Sequence, residues 1–504
     1  MGQDGRTDAG GIVMNIRKAL LGALVVSATV PVSEAVADIT VSADATANME
    51  CSAGICAPTA PDAVLNVGDL EGLLAGGNVE ITTTGTGVEA GSIQLAAPLT
   101  WSTGSGLTLD AYRSVMVGAR VTVADTGGLS VLTSQGGSSG VFLFRPQGNV
   151  SFATTSSPLS INGIGYTLVK SLHSLAKAIA ANPSGAYALS SSYDASHDGA
   201  YTASPIRKTF EGSFNGLGNA ISNLVIAGNG VGKLTGLFAL VDTTGVVASL
   251  RLANESINVS EGKRGEIVGG LEGDNFGYLF NSSVSGKIQV AILRGGFLGG
   301  VVGLSLGDIE DVSSDVSVHI SANKKLNLYA GGLAGDSNGG TVSESFSKKG
   351  ISVTAQGLNY LIGGLFGVSS GIVKNCYAKG PVRLGESAGT GYVGGFTGFN
   401  QATVSGSYST GAPSAGEGND IGGSLGYDDG AGGSGRLKNV YWDTETSGIG
   451  KKQGAGNIRN DKGLTGRTTK QLTAGLPKGF DDTVWAQDPK INQGLPYLIN
   501  NPPN

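Results

Sequence analysis

The chain has 504 residues, of which 85 are glycine and 14% are charged, and its formal net charge at pH 7 is −6. An acidic chain without Lys and Arg clusters interleaved with aromatic residues is poorly suited to nucleic acid or to an anionic membrane surface, so we expect neither partner. Three histidines and no His-Glu-x-x-His motif leave a zinc peptidase without ligands, so we also expect no metal site and no cofactor.

The amino terminus has the features of an export signal. A basic stretch follows Met14, an apolar run covers residues 19–32, and small residues at 35 and 37 form a cleavage site. This arrangement predicts a signal peptide within residues 1–37, cleaved after Ala37, with Met14 as the true start and the upstream residues as an over-extended reading frame. No later apolar run reaches the roughly eighteen residues of a spanning helix, so we expect a secreted or cell-surface protein without a transmembrane anchor.

Residues 38–165 form a β-rich N-terminal region of short alternating runs between glycine and serine turns. We expect either irregular coils or a β-rich cap in this region. Cys51 and Cys56 enclose a four-residue loop, and their spacing allows a local disulfide in an oxidising compartment.

The pattern changes in residues 166–209, which we interpret as a helix-containing connector. Apolar residues between Leu168 and Ile179 recur at helical spacing, and an Asn-Pro-Ser-Gly turn at 182–185 ends the segment. One short helix near residues 168–181 is therefore predicted.

A glycine-framed pentapeptide then returns about every thirty residues within residues 210–440. A fixed period of this length indicates stacked units that each need a neighbour to bury their apolar face. Short runs rich in strand formers follow each pentapeptide, so each unit fits one coil of a parallel β-helix. We expect the glycines to supply positive φ at the corners of the coils. These glycines are Gly269, Gly270, Gly273, Gly299, Gly300, Gly303, Gly331, Gly332, Gly335, Gly363, Gly364, Gly367, Gly394, Gly395, Gly398, Gly422, Gly423 and Gly426.

One aligned position of the repeats is aromatic, at Phe346, Tyr377, Tyr408 and Tyr441. Aromatic residues aligned in successive coils predict a stacking ladder, although the sequence leaves open whether the rings face the core or the solvent. Cys376 aligns with serine and valine in the other coils, which indicates a small buried filler rather than a reactive thiol.

Residues 210–224 read Phe-Glu-Gly-Ser-Phe-Asn-Gly-Leu-Gly-Asn-Ala-Ile-Ser-Asn-Leu and lead into the Gly-Gly-Leu-x-Gly repeats. Over roughly residues 160–450 the chain resembles the GLUG-motif proteins, exported bacterial chains related to filamentous-haemagglutinin-type adhesins. The resemblance implies an all-β, right-handed parallel β-helix at the cell surface with a role in adhesion. The Asn-Pro-Asn secretion domain of two-partner exoproteins is not evident, so the export route and an outer-membrane secretion partner stay open.

Residues 441–504 lose the period and contain two of the three tryptophans. This change is typical of a C-terminal cap, because an open last coil would expose unpaired strand edges. No alternating barrel strands of about ten residues are visible, so we expect no covalent outer-membrane anchor.

These features favour an adhesin-like protein that acts by binding or as structure, without catalytic residues, and that contacts carbohydrate or a host, matrix or cell-surface protein. The alternative is a polysaccharide lyase or glycoside hydrolase built on a parallel β-helix, which would use carboxylates. The candidate carboxylates are Asp308 with Glu310, Asp428 with Asp429, and Asp481 with Asp482, and their positions beside turns, in glycine-rich stretches or in the cap favour simple solvation.

Overall fold

The chain is all-β, as predicted, with 51% of residues in strands and 8% in helices. The computed structural model describes residues 38–503 except 138, 230–232, 263–264, 293–294, 323–326, 356–358, 386–389 and 431–435. Stacked parallel coils form a β-solenoid, which confirms the predicted parallel β-helix. The predicted signal peptide and the Met14 start lie outside the described residues.

The structure divides into two compact units. Unit 1 contains the described residues up to Ser171 together with Gly185–Ser192 and Gly212–Asn219. Unit 2 contains Leu172–Ser184, Tyr193–Glu211 and the described residues from Ala220 onward.

Unit 1 is built from parallel coils with aliphatic inner faces. Ile93 lies in register between Ile39 and Val115, and all three side chains are fully buried. One wall contains Ala63–Asn66, Ile39–Ser42, Ile93–Leu95, Val115–Val117 and Phe142–Phe144, and a second contains Leu99–Trp101, Arg120–Val123 and Asn149–Phe152. The remaining strands are Met49–Ser52, Ile55–Pro58, Val79–Thr82, Thr84–Gly85, Val88–Glu89, Gly106–Asp110, Gly128–Leu132, Leu159–Ile161, Ile164–Val169, Ala186–Leu189 and Ser213–Asn215.

Unit 1 also contains a ten-residue helix that the sequence did not predict, α1 (Val67–Gly76). The Asn66 side chain caps it by accepting hydrogen bonds from the backbone N–H groups of Gly68 and Asp69, at 2.8 and 3.3 Å. Its buried residues, Leu70 and Leu74, are four apart and therefore share one helical face. Three glycines within the helix lower its intrinsic propensity and hide it from pattern analysis.

The predicted helix exists in unit 2 as α2 (Leu172–Ala181), which buries Leu172, Leu175 and Ile179. It begins four residues later than predicted, because Leu168 belongs to the strand Ile164–Val169. An apolar residue at the end of a strand satisfied the helical spacing by coincidence. Unit 2 also contains the single-turn helices α3 (Thr444–Ser447) and α4 (Thr469–Leu472) and short 3-10 turns at Ala195–Asp198 and Asn492–Gly494.

Each coil of unit 2 passes through four walls, named A to D in chain order. Wall A contains Leu234–Thr235, Glu266–Val268, Gly296–Gly299, Asn327–Gly331, Asn359–Gly363, Thr390–Gly394 and Asp420–Gly422. Wall B contains Phe238–Val241, Glu272–Asn275, Val302–Ser305, Ala334–Ser343, Phe366–Lys374, Thr397–Asn400 and Leu425–Asp428. Wall C contains Val246–Ala248, Tyr278–Phe280, Asp308–Glu310, the last residues of Ala334–Ser343 and of Phe366–Lys374, Thr403–Ser409, Leu437–Asp443 and Leu464–Arg467. Wall D and the segments beside it contain Tyr193–Asp194, Ala220–Ser222, Val225–Asn229, Arg251–Gly262, Ser283–Ile292, Ser313–Ala322, Phe346–Ser347, Ile351–Ala355, Tyr377–Ala378, Val382–Leu384 and Pro413–Ser414.

The framing glycines join wall A to wall B, but the expected reason for them is wrong. None of the eighteen, all of which lie in the described residues, has a left-handed φ. All but Gly423 are instead places where a neighbouring backbone approaches too closely for a Cβ atom, and a Cβ on Gly423 would overlap the Trp442 ring. In one coil, a Cβ at Gly363 would overlap the carbonyl oxygen of Phe366, and a Cβ at Gly364 would overlap that of Gly395 in the next coil.

The third glycine of the pentapeptide brings wall B against the preceding coil of wall A. A Cβ built on Gly367 would lie 2.5 Å from the amide nitrogen of Ala330, and one on Gly426 would meet Val393 in the same way. These contacts recur in successive coils. The glycines therefore repeat in the sequence because the close backbone approach repeats in the structure.

Left-handed backbone occurs at another corner, before wall D. Asp311, Asn375, Gly406 and Asn439 stack there, each with a φ of 55°. Asn, Asp and Gly tolerate this conformation better than other residues. Glu344 occupies the same corner in the coil between Asp311 and Asn375, with a φ of 49°.

The aromatic ladder is confirmed for three of its four members, whose rings lie outside the coil interior. The fourth, Tyr441, instead packs edge-on against Phe480, with ring centroids 5.8 Å apart. Phe346, Tyr377 and Tyr408 stack with centroids 4.5 and 5.1 Å apart and interplanar angles of 6°. Because neighbouring residues on a strand face opposite sides, Tyr408 points away from Ser409, whose hydroxyl donates to the Gly423 carbonyl.

The C-terminal segment, which was predicted to be a cap, has two parts. Leu464–Arg467 extends the stack by pairing with Val440–Asp443 in parallel register. The following residues then cover the ladder, with the Trp485 ring about 6 Å from those of Tyr377 and Tyr408. The Tyr408 hydroxyl donates to the Pro496 carbonyl at 2.7 Å, and Trp485–Ala486 pairs with Tyr497–Leu498.

The close approach can be tested by adding one methyl group. Gly364→Ala forces a Cβ into the backbone of the next coil, so we expect a loss on the order of 3 kcal/mol in the free energy of unfolding. Gly450→Ala is the matched control, because no atom lies within 4 Å of a Cβ there, and it should change stability by less than about 0.5 kcal/mol. Urea denaturation followed by circular dichroism measures both, and equal effects would contradict this packing.

The left-handed corner predicts that Glu344→Asn stabilises the protein. Glu344→Gln is the comparison, because it also removes the charge but keeps a residue poorly suited to this φ. We expect the Asn variant to be more stable than the Gln variant by about 1 kcal/mol in urea denaturation. A Gln variant as stable as the Asn variant would show that charge, rather than conformation, limits this corner.

Candidate functional site

The carboxylates proposed for catalysis have structural partners. Asp308 accepts a hydrogen bond from the backbone N–H of Thr341 at 2.7 Å, and Glu310 accepts one from the Tyr278 hydroxyl at 2.6 Å. The two acids flank Ile309 on one strand and thus connect neighbouring coils.

The other two proposed acid pairs are also separated into different roles. Asp428 accepts from the Asn400 amide at 2.7 Å and lies 3.7 Å from Arg436, whereas Asp429 accepts from Gln401 at 3.0 Å. Asp481 accepts from the backbone and hydroxyl of Thr483, and Asp482 is exposed. The structure does not gather these acids into one site.

The cysteines occupy the positions expected from the sequence. Cys51 and Cys56 are directly opposite in the hairpin formed by Met49–Ser52 and Ile55–Pro58, and a disulfide joins them. Cys376 is fully buried, and burial raises the pKa of its thiol to about 12. A thiol in that state is a packing group rather than a nucleophile.

The strongest candidate for a binding surface is a set of outward-facing side chains on walls A and B, here called the lateral strip. The wall A positions lie two residues before each first framing glycine from Gly299 onward, and the wall B positions follow each third glycine. Alternation along the strands places these positions on the outer face, opposite the buried core residues. The lateral strip comprises Phe297, Tyr329, Leu361, Tyr392 and Asp420 on wall A, and Asp274, Leu304, Asp336, Val368, Phe399 and Tyr427 on wall B.

Ring contacts join the two walls of the lateral strip. The Tyr392 ring centroid lies 6.0 Å from that of Phe399 and 4.7 Å from that of Tyr427, and the last two are 5.4 Å apart. Phe297 and Tyr329 form a second contact at 5.0 Å. These five rings are partly exposed, so they support one another and still present ring surface to solvent.

Two of the three carboxylates in the lateral strip, both on wall B, are buried. Asp336 stacks between Leu304 and Val368 and is 9% exposed, and Asp274 occupies the same column beside Leu304 at 7%. Desolvation raises the pKa of each to about 6, although the charge of Lys233 opposes the shift at Asp274. One oxygen of each carboxylate has no hydrogen-bond partner among the described residues.

Sequence reasoning missed the lateral strip although its signal was present. Counting from the glycine frame places an aromatic or apolar residue on both sides of the pentapeptide in three of the six coils, and on one side in the other three. The sequence could not show that these two positions face the same side, because that depends on how closely wall B approaches wall A.

Two further acids lie in the interior of unit 2. Glu255 and Glu272 are 1% and 0% exposed, and neither carboxylate has a hydrogen-bond partner among the described residues. Desolvation raises the pKa of Glu255 well above its usual range and that of Glu272 to about 8. Glu272 aligns with Val302 and Ala334, so a carboxyl group occupies a column that is apolar in the next coils.

In the part of the chain that the structure describes, no group of three or more His, Cys, Asp or Glu side chains is arranged to hold a metal ion. No helix in it has the length and apolar character needed to cross a membrane.

Comparison with known proteins adds one distant similarity. No protein-family model matches the chain, and no solved structure matches it. A stretch of 276 residues, 55% of the chain, is 28% identical to halomucin of Haloquadratum walsbyi. That match covers 3% of halomucin, so the chain corresponds to a small part of the length of that protein.

The buried carboxyl groups predict a stability that falls as pH rises. A raised pKa in the folded state means that the contribution is complete below about pH 4.5 and is lost as pH rises towards 8, the pKa of Glu272. Glu272→Gln removes this titration, so its melting temperature should exceed that of wild type at pH 9 but not at pH 5. At pH 9 the free energy of unfolding of Glu272→Gln should exceed that of wild type by an amount on the order of 4 kcal/mol.

Glu417→Gln is the control for this measurement, since Glu417 is exposed. Thermal denaturation followed by circular dichroism at both pH values is sufficient. Parallel curves for wild type and Glu272→Gln would contradict the burial of Glu272.

Proposed function

We propose that the chain is an exported, adhesin-like protein that binds a carbohydrate chain along the lateral strip of unit 2. The observation that carries this proposal is the contact of Tyr392, Phe399 and Tyr427 across two walls, with the ring faces partly exposed. A rigid solenoid holds these rings in fixed positions, which lowers the entropic cost of binding an extended ligand.

Sugar rings suit such a surface. Their C–H faces are weakly positive and pack on the negative faces of aromatic rings, and their hydroxyl groups donate to carboxylate oxygens. The Asp336 carboxyl lies between the apolar members Leu304 and Val368, so a ligand along the lateral strip would pass beside it. Because equivalent positions recur in each coil at about 4.8 Å, a polymer with a regular repeat can contact several coils.

Three features support placement outside the cell. The sequence predicts a signal peptide before Asp38. The Cys51–Cys56 disulfide is a bond that persists mainly in oxidising compartments. The distant similarity is to a protein whose name describes it as a mucin. The resemblance to GLUG-motif adhesins points in the same direction and stays a prediction.

A second candidate is cleavage of a polysaccharide at the same surface. Asp274 and Asp336, each with a pKa raised to about 6, have the property of a general acid placed beside a ligand. Release of reducing or unsaturated ends from a bound polysaccharide, lost on Asp336→Asn, would favour this candidate over binding alone.

Affinity electrophoresis in gels that contain dextran, laminarin or hydroxyethyl cellulose tests binding by the lateral strip. We expect at least one neutral polysaccharide to retard the protein. The double variant Tyr392→Ala/Tyr427→Ala should weaken that binding about thirtyfold, because two stacking rings contribute roughly 1 kcal/mol each.

The matched control removes two exposed apolar side chains outside the lateral strip, with Leu306→Ala and Ile372→Ala. This variant should bind like wild type, and circular dichroism checks that both variants are folded. Equal retardation of the tyrosine double variant and the wild type in every gel would refute the proposed surface.

A further inference from the structure

A basic pocket lies beyond the last full coil of unit 2. It has a volume of about 450 Å³, and its lining includes Lys451, Lys452, Gln453, Asn457 and Arg459. This volume is within the range of small-ligand sites.

The cations of the basic pocket form no ion pair among the described residues. These cations, Lys451, Lys452 and Arg459, are exposed. Three like charges around one concavity repel one another, and the protein as a whole is acidic. An anion in the pocket would relieve that repulsion and gain three charge-assisted contacts.

The basic pocket continues the stack that carries the lateral strip. Ala455 bridges to Leu425 of wall B, and Asn457 exchanges hydrogen bonds with the backbone of Asp428 at 2.9 and 2.8 Å. The residues that line the pocket therefore follow Tyr427 directly, one coil further along. A ligand that leaves the lateral strip at Tyr427 meets this pocket next.

We propose that the basic pocket binds an anionic group, a sulfate or a carboxylate, of the same glycan that lies along the lateral strip. This inference rests on the proposed function and narrows its ligand to acidic polysaccharides. Lysines beside the edge strand Asp420–Gly422 would also discourage pairing with another chain. Edge protection alone does not require Arg459 to line the same cavity as the two lysines.

The test compares dextran, dextran sulfate and carboxymethyl dextran of equal length by isothermal titration with the full chain. We expect both charged polymers to bind at least about tenfold more tightly than dextran at low salt, and the difference between them identifies the preferred anion. Lys451→Gln/Lys452→Gln/Arg459→Gln should remove about tenfold of the affinity for the charged polymers and leave dextran binding unchanged.

The control Lys438→Gln/Lys478→Gln/Lys490→Gln removes three exposed positive charges elsewhere and should lower affinity less than about twofold. Equal losses in the two triple variants, or charged polymers that bind no better than dextran, would overturn the pocket proposal while dextran binding through Tyr392 and Tyr427 still stood. In a third outcome, the pocket variant loses charged-polymer binding but Tyr392→Ala/Tyr427→Ala has no effect on any polymer. That result would support an anion site, but it would contradict binding by the lateral strip and a single glycan that contacts both surfaces.

Discussion

Unit 2 depends on the close approach of wall A and wall B, where backbone lies against backbone without an intervening side chain. In the coils that contain the pentapeptide the approach uses three glycines, since a Cβ at Gly363, Gly364 or Gly367 would occupy space already filled by a neighbouring backbone atom. Because the same approach recurs in each coil, it fixes the register of successive strands. The same geometry brings the outer faces of the two walls together, so aromatic residues separated by a glycine frame meet as one surface.

Features that repeat along the chain could be predicted from the sequence, and features that depend on distant packing could not. The thirty-residue period, the parallel coils and the stacked rings of Phe346, Tyr377 and Tyr408 are visible as aligned columns. The reason for the glycines was wrong, because composition does not distinguish a left-handed corner from a close contact. Asp311, Asn375 and Asn439, which form the left-handed corner, align in the sequence repeats. Their polar side chains did not distinguish this corner from an ordinary strand position.

The lateral strip, the buried acids and the cover of the ladder were beyond pattern analysis for a common reason. Each depends on which side of a coil a residue faces, and in a narrow solenoid both sides contain apolar residues. Glu272 illustrates this point, since an acid in an alternating segment predicts a solvent-facing position, yet it lies in the column of Val302 and Ala334. An acidic residue beside the framing glycines therefore does not by itself identify the solvent-facing side of a strand.

The C-terminal segment ties together coils that are far apart in the stack. Its Asn501 side chain donates to the Glu344 carbonyl, and its Asn492 side chain accepts from Lys379. Its Lys478 backbone carbonyl accepts from the Tyr441 hydroxyl. Gain or loss of one coil by recombination between Phe346 and Tyr441 would move these partners by a whole rung. The number of repeats can therefore change in evolution only outside the coils that this segment contacts. Within those coils, the C-terminal segment fixes the number of repeats.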